Sequence, residues 1–541
     1  MNKHNLYRVT RARALRKPVL ASAIALALAA PAVQAVDFQM GEGWTGAVDT
    51  TVSYGVSMRM EDPAENLTGK ARFNPLIGAQ PNAVQRTAPG RFSVNSDDSS
   101  YNYPEDGDIF ANTFKITSEL SLNYEDTWGA FARASYFYDF ENADKDELTE
   151  LARDKVGERF TMLDAFVFYN FDFGPGDGSA RLGRQVVSWG ESTFIQNGIN
   201  IINPIDVSKL RVAGAELKEA FLPVDMIFGS YNFNENFSME ALYLFEFEQT
   251  EPDPVGTYFA TNDFATLGGT YAMLGFGLVP QPVLNPERFY DVCYGGQPSD
   301  NPVINTSAVL RAQACGNAIP RAEDRYPDDG GQYGLAFHYF SPTLMNTEFG
   351  FFFMNYHSRL PLISGTALRT SAPSTARVFI EYPEDIKMYG VSFNTTLEEL
   401  GVALQGELSY KEDVPLQVDD VELLFFGLSP LNGLIPNSFL RFQSQIGNAR
   451  PGEEFRGWER HEVSQLQITA TRLFPNSLGA QQLAVVAEVG ATNVWDLPDP
   501  SVLRYQGDGT DTGGGGDVLS GVGRNPITQV DGFPTKFSWG Y

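Results

Sequence analysis

The sequence predicts an all-β protein, an antiparallel transmembrane β-barrel of about 14 strands with long extracellular loops. Three observations predict it. The chain opens with a cationic and then apolar export segment, later stretches of about 10 residues alternate apolar and polar positions, and the links between them alternate short and long.

Export comes first. Lys3, Arg8, Arg11, Arg13, Arg16 and Lys17 precede an apolar run from Val19 to Ala30 and the small-residue signature Val33-Gln34-Ala35. This divides the chain into a signal peptide, 1–35, and a barrel, 36–541. A membrane anchor would need about 20 apolar residues, and the run is shorter. Cys293 and Cys315 both fall in the exported part, where an oxidising compartment favours a disulfide tying one loop over two free thiols.

Composition narrows the class. Hydrophobic residues at 43% and aromatics at 13% exclude a disordered chain, and the 51 glycines follow no collagen period. The formal charge of −28 repels phosphate backbones and excludes nucleic acid as a partner.

The strands follow. From Val48 to Met60 one face carries Val48, Val52, Tyr54, Val56, Met58 and Met60, and the other Asp49, Thr51, Ser53, Gly55, Ser57 and Arg59. Phe114 to Tyr124 and Trp128 to Phe140 alternate likewise about the turn Glu125-Asp126-Thr127, with aromatic residues near the strand ends. Further strands are expected at 162–173, 179–187, 224–233, 237–248, 331–340, 347–358, 385–396, 401–411, 461–474, 481–493 and 533–541. Six short links at 125–127, 174–178, 234–236, 341–346, 397–400 and 475–480 interleave with seven long ones. A secreted β-sandwich or propeller would alternate too, but would not explain that interleaving. In lipid every backbone polar group must be paired, which a closed sheet achieves.

The segments RLGRQVVSWGE from Arg181, NPID from Asn203, ELKE from Glu216, NYHSRLP from Asn355, YPEDIKMYGVSF from Tyr382 and QGELSY from Gln405 occur in an order that resembles the domain of unknown function 1302 family of bacterial outer-membrane proteins. The resemblance covers most of the mature chain. It implies a Gram-negative outer-membrane barrel, assembled by the barrel-assembly machinery among outer-membrane lipid and lipopolysaccharide. It also implies a periplasmic lipid-handling partner, and it brings no established catalytic residues. Members of that family continue past a segment similar to FSWGY into further hairpins, so the chain reads either as a complete 14-stranded form or as a product lacking its closing strands.

Chemical motifs are sparse. His338, His357 and His461 lie on or beside different strands without metal-ligand spacing, and neither a GxSxG elbow nor an HExxH motif occurs. His357 beside Ser358 reads as a polar pair at a strand end rather than as part of a lipase triad. Asn142, Asp144 and Asp146 have the opening spacing of a calcium loop, but Glu147 replaces its glycine and Arg153 its closing Glu. The acidic run from Gly507 reads as a mobile loop. No catalytic residue, metal or cofactor is expected.

The polar strand faces, aimed at the lumen, carry Lys115, Glu119, Arg133, Asp139, Asp164, Arg181, Glu240 and Glu407. The same faces hold Phe131, Phe137, Phe166, Phe168, Leu242 and Leu244, which a water-filled pore does not require; they pack either on an inserted loop or on a substrate. The segment from Trp189 to Phe221, with Trp189, Glu191, Asp206, Glu216, Lys218 and Glu219, is the expected constriction. Two apolar loop segments supply candidate capture residues, Tyr271, Met273, Phe276 and Leu278 in one and Phe425, Phe426 and Leu434 in the other, unless the loops only pack on each other. The expected function is an outer-membrane channel or transporter for hydrophobic or amphipathic small molecules. The alternatives are a general or cation-preferring porin and an outer-membrane lipase or esterase.

Overall fold

The computed structural model describes residues 36–64, 68–90, 101–212, 217–260, 263–275, 277–433, 442–506 and 536–541. The expected signal peptide at 1–35, the acidic run from Gly507, Glu216, Phe276, Leu434 and the side chain of Lys218 lie outside the described residues.

One antiparallel sheet dominates, with fifteen strands that follow one another in chain order. They are β1 (Val36–Gln39), β2 (Trp44–Met58), β3 (Ile109–Tyr124), β4 (Trp128–Asp139), β5 (Glu158–Phe173), β6 (Gly176–Gln185), β7 (Val224–Asn234), β8 (Phe237–Leu244), β11 (Tyr333–Ser341), β12 (Thr347–Tyr356), β15 (Ile386–Leu397), β16 (Val402–Gln417), β18 (Trp458–Pro475), β19 (Gln482–Val494) and β20 (Phe537–Gly540). Each of the fourteen strands expected from alternation has its counterpart here. The fifteenth is β1, whose four residues are too few to display a period. Among the described residues the sheet is not closed, with β1 and β20 as its two edges.

The turn chemistry is local. Between β3 and β4, Glu125 and Asp126 both take positive φ, 46° and 56°, and Thr127 N–H donates to the Tyr124 carbonyl at 2.9 Å. Two positive φ values match the right-handed strand twist. A bulge between Ala132 and Ala134 brings Leu163 and Asp164 of β5 both to the buried face, after which Phe166 and Phe168 point inward.

The two faces invert the usual distribution of polarity. Val52, Phe160, Val167, Leu182, Phe351, Leu466 and Val489 are exposed, whereas Lys115, Arg133, Asp164, Glu407, Ser409, Gln467 and Thr469 are buried on the opposite face. Aromatic pairs, Trp44 with Tyr124 (5.1 Å between centroids) and Trp128 with Tyr169 (4.4 Å), mark the short-turn end of the outer face. No helix among the described residues is long and apolar enough to cross a membrane.

The long loops form a cap with two small sheets. One pairs β9 (Tyr271–Met273) with β10 (Ala318–Pro320), and the other joins β13 (Leu362–Thr366), β14 (Arg377–Glu381) and β17 (Glu454–Phe455). The helix Asp420–Leu428 packs between them, so Leu274, Ile319, Val378, Val421, Phe425 and Phe442 share one core. Cys293 and Cys315 form a disulfide, with Cα atoms 5.3 Å apart, that joins two short helices of the first cap loop.

Two outcomes follow. Arg at the midplane of a lipid-facing strand costs about 2–4 kcal/mol, so Val52→Arg lowers assembled protein in the outer membrane far more than Ser53→Arg does, as read by immunoblot of membrane fractions. Cys293→Ser changes protease cutting of the loop at 249–330 while heat-modifiable gel migration stays as it was, because the disulfide touches no strand of the large sheet.

Candidate functional site

The described residues of the link between β6 and β7, 186–212 and 217–223, fold against the buried face of the large sheet. Its base is closed by Asn203, whose amide accepts from Val187 N–H (2.9 Å) and donates to the carbonyls of Gln185 (3.2 Å) and Leu222 (2.9 Å). One side of the loop is apolar. Val187, Trp189, Ile199 and Ile202 join Met226, Leu244, Ala336, Phe352, Met354 and Met388 from β7, β8, β11, β12 and β15 in a single buried cluster. Glycines make the room: a Cβ on Gly334 would lie 2.7 Å from the Trp189 ring, and one on Gly390 2.7 Å from Ile199.

The other side is held by charge. Glu407 of β16 accepts backbone N–H bonds from Glu191 (2.6 Å), Ser192 (3.1 Å) and Ile199 (3.0 Å). It can enter the loop because Gly190 and Gly198 flank it, and a Cβ at either would overlap its carboxylate. Glu488 of β19 accepts from Thr193 (2.8 Å), Phe194 (2.8 Å) and Ile195 (2.7 Å). Lys411 Nζ donates to the Asn197 carbonyl at 2.6 Å and Gln465 to that of Gln196 at 2.8 Å. Trp189 Nε1–H donates to Glu240 at 2.7 Å.

The far end of the loop reaches the opposite part of the sheet. Glu219 takes Lys115 Nζ (2.5 Å) and the Thr117 hydroxyl (2.9 Å) of β3, and Asp206 takes Arg159 (3.2 Å) of β5. From the loop after β12, the buried Arg359 donates to the carbonyls of Ile201 (3.2 Å), Ile202 (2.7 Å) and Glu248 (2.8 Å). One loop thus contacts strands from β3 to β19, and the sheet curves around it.

The remaining expected residues fall as follows. Arg133 pairs with Asp164 at 2.5 Å and lies 4.0 Å from Glu119. Asp139 accepts from Asn112 N–H and the Thr113 hydroxyl and shapes the following turn. Asn142 is engaged by Tyr103 and the Phe110 carbonyl. His357 accepts at Nδ1 from Asp385 N–H (3.2 Å), so its Nε2–H donates to the Gly330 carbonyl (2.9 Å); Ser358 Oγ faces the Leu360 carbonyl instead. Arg181 lies on the buried face beside Phe166 and Phe228.

In the cap, Tyr271 stacks on Phe289 (4.5 Å), Met273 packs beside it, Leu278 buries against Ala71 and Ile77, and Phe425 and Phe426 lie in two apolar clusters. An apolar cavity of about 100 Å³ lies between those elements. Its lining comes instead from Phe264, Ile363, Val378, Leu423, Leu424, Leu428 and Phe455, with Asp420 and Arg377 at its edge. Burial raises Asp420 to about 6.

Asn203, Arg359, Lys411 and Gln465 were not singled out from the sequence. Asn203 and Arg359 stand in the NPID and NYHSRLP segments, which carried no chemical meaning until the loop was placed.

Fold and site define an antiparallel sheet built inside out, apolar without and polar within, gripping an inserted loop. The chain belongs to the family described as protein of unknown function (DUF1302), whose model matches residues 16–541. No curated protein sequence matches the chain. Among solved structures it is similar to the outer membrane channel DcaP of Acinetobacter baumannii, at 10% identity over 85% of this chain and 81% of that one with a TM-score of 0.31. It is also similar to Pseudomonas putida OprB, at 9% identity over 83% and 93% with a TM-score of 0.26. OmpT of Vibrio cholerae gives 9% identity over 86% and 91% with a TM-score of 0.23.

Burial first, and then the carboxylates of Glu348 and Glu407, push Glu191 up to about 7. The docked loop therefore keeps a proton that a freed loop releases near pH ~4.5, the ordinary Glu range. Docking is fully favoured below that range and weakens as pH rises through about 7. Limited proteolysis of the purified protein therefore cuts the stretch around Glu191 faster as pH rises between about pH 5 and 8, and Glu191→Gln flattens the dependence.

Proposed function

We propose that this chain is an outer-membrane β-barrel channel for hydrophobic or amphipathic small molecules, without covalent chemistry. The reading is carried by one observation: apolar side chains are exposed on one face of the large sheet while ionised and amide side chains are buried on the other around an inserted loop. Lipid satisfies the outer face, and a narrowed lumen the inner.

The cap favours an apolar cargo over ions. Helix Asp420–Leu428, β9, β10, β13 and β14 enclose an apolar cavity over the long-loop side of the sheet, and the inner-face cations Lys115 and Arg133 are already paired with Glu219 and Asp164. In this reading the cargo meets the cap first, passes the loop at 186–223, and leaves at the short-turn end. A periplasmic lipid-handling protein is the proposed recipient.

Phe264 and Leu424 line the cap cavity. With capture proportional to buried apolar area at about 25 cal/mol per Å², Phe264→Ala combined with Leu424→Ala reduces cellular uptake of radiolabelled sterol, alkane or fatty acid while small-ion conductance and outer-membrane abundance hold. Unchanged uptake at normal abundance sinks the capture role and leaves a porin.

A further inference from the structure

We propose that the inner wall built by β3, β4, β5 and β6 holds a subsite for amphipathic carboxylates, with Arg181 taking the carboxylate and Phe131, Phe166 and Phe168 the apolar body. The proposal rests on the channel reading and names the class of its cargo.

A cavity of about 440 Å³ opens on this wall near the short-turn end, lined by Ser121, Asn123, Phe131, Phe166, Phe168 and Arg181 among others. That volume lies within the range of small-molecule sites, about 300–1,000 Å³. The strand register builds it: Ser121 stands opposite Phe131, Phe131 opposite Phe166, and Phe168 opposite Arg181. Three rings therefore line a continuous shelf that ends at a cation. Phe131 and Phe166 lie 5.5 Å apart, and the Phe168 ring packs against Gly129, where a Cβ would sit 2.0 Å from it.

Arg181 differs from the other inner-face cations. Arg133 is paired with Asp164 at 2.5 Å and Lys115 with Glu219 at 2.5 Å, whereas no carboxylate among the described residues is in ion-pair contact with Arg181. Its guanidinium rests instead between two rings, 5.6 Å from the centroid of Phe166 and 5.3 Å from that of Phe228. Ring faces hold the cation in place but leave its N–H edge without an anion. A planar carboxylate matches that fork with two parallel bonds. An inorganic anion would use the guanidinium and ignore the Phe shelf, and a neutral hydrocarbon would do the reverse. An apolar acid uses both.

The test measures binding of phenylbutyrate, phenylbutanol and phenylbutylamine to the full mature chain in phosphatidylcholine nanodiscs by isothermal titration, with conductance recorded separately in planar bilayers. Phenylbutyrate binds about tenfold more tightly than phenylbutanol, as a charge-assisted bidentate contact warrants, and phenylbutylamine binds weakest. Arg181→Gln removes the preference for the acid, Arg181→Lys keeps part of it, and Phe168→Ala weakens acid and alcohol alike. Equal binding of acid and alcohol by the unaltered protein overturns the subsite, as does a preference that survives Arg181→Gln. Should Arg181→Gln fail to fold by heat-modifiable migration, Arg181→Lys and the acid-to-alcohol ratio of the unaltered protein decide. Conductance addresses the channel reading alone: acid binding through Arg181 without conductance keeps the subsite and removes the channel, and conductance without such binding does the opposite.

Discussion

Two carboxylates organise the interior. Glu407 and Glu488, on strands two apart in the sheet, accept six backbone N–H groups from the stretch between Glu191 and Ile199. Successive N–H groups turned to one side form a concavity that suits an anion, and here the anion is supplied by the wall. The loop thereby gains partners for backbone groups that would otherwise be buried unpaired, and the carboxylates gain donors that permit their burial. With this contact in place, the apolar side of the same loop is aimed at Phe352, Met354 and Met388. The base closed by Asn203 and the far end held by Lys115 then follow from chain length alone.

The strands were legible because their signal is local. A period of two is visible in any ten residues, so Phe114 to Tyr124 or Ser464 to Thr471 can be assigned without knowing what lies beside them, and even the polar face could be aimed at the lumen. The inserted loop was legible only in outline. Its direction followed from Trp189, Glu191 and Glu219, but its anchors Lys411, Gln465 and Glu488 are more than 200 residues away from the groups they hold. Nothing in the spacing of the sequence marks such pairs. The cap was the least legible element. Phe425 and Leu424 are neighbours in one apolar helix, yet Phe425 fills a core and Leu424 lines the cavity. An apolar run announces burial without saying whether protein or ligand supplies it.

The acidity of the chain also resolves by location. An interior carboxylate is tolerated where donors converge on it, as at Glu407, or where a cation meets it, as at Asp164 beside Arg133. Glu191 has neither in full measure: its side chain takes bonds from the amides of Asn394 (3.2 Å) and Gln405 but faces Glu348 and Glu407. Glu191 is therefore the less satisfied carboxylate of the loop, whereas Glu407 and Glu488 each have several donors.

Magnitudes indicate how firmly the loop is held. Hydrogen bonds to charged groups contribute about 1.5–3 kcal/mol each, so the six bonds to Glu407 and Glu488 sum to roughly 9–18 kcal/mol before the entropy of ordering the loop is subtracted. Burial of Trp189, Ile199 and Ile202 adds about 1.5–3 kcal/mol apiece. The walls around the loop are unequal. Toward β15, β16, β18 and β19 the loop lies in contact with the strands, whereas across the interior the β3 to β6 wall is open at its short-turn end. The described residues of the far end are held there by the Lys115–Glu219 and Arg159–Asp206 pairs, with Asp206 N–H donating to the Ala220 carbonyl and Val207 N–H to that of Glu251.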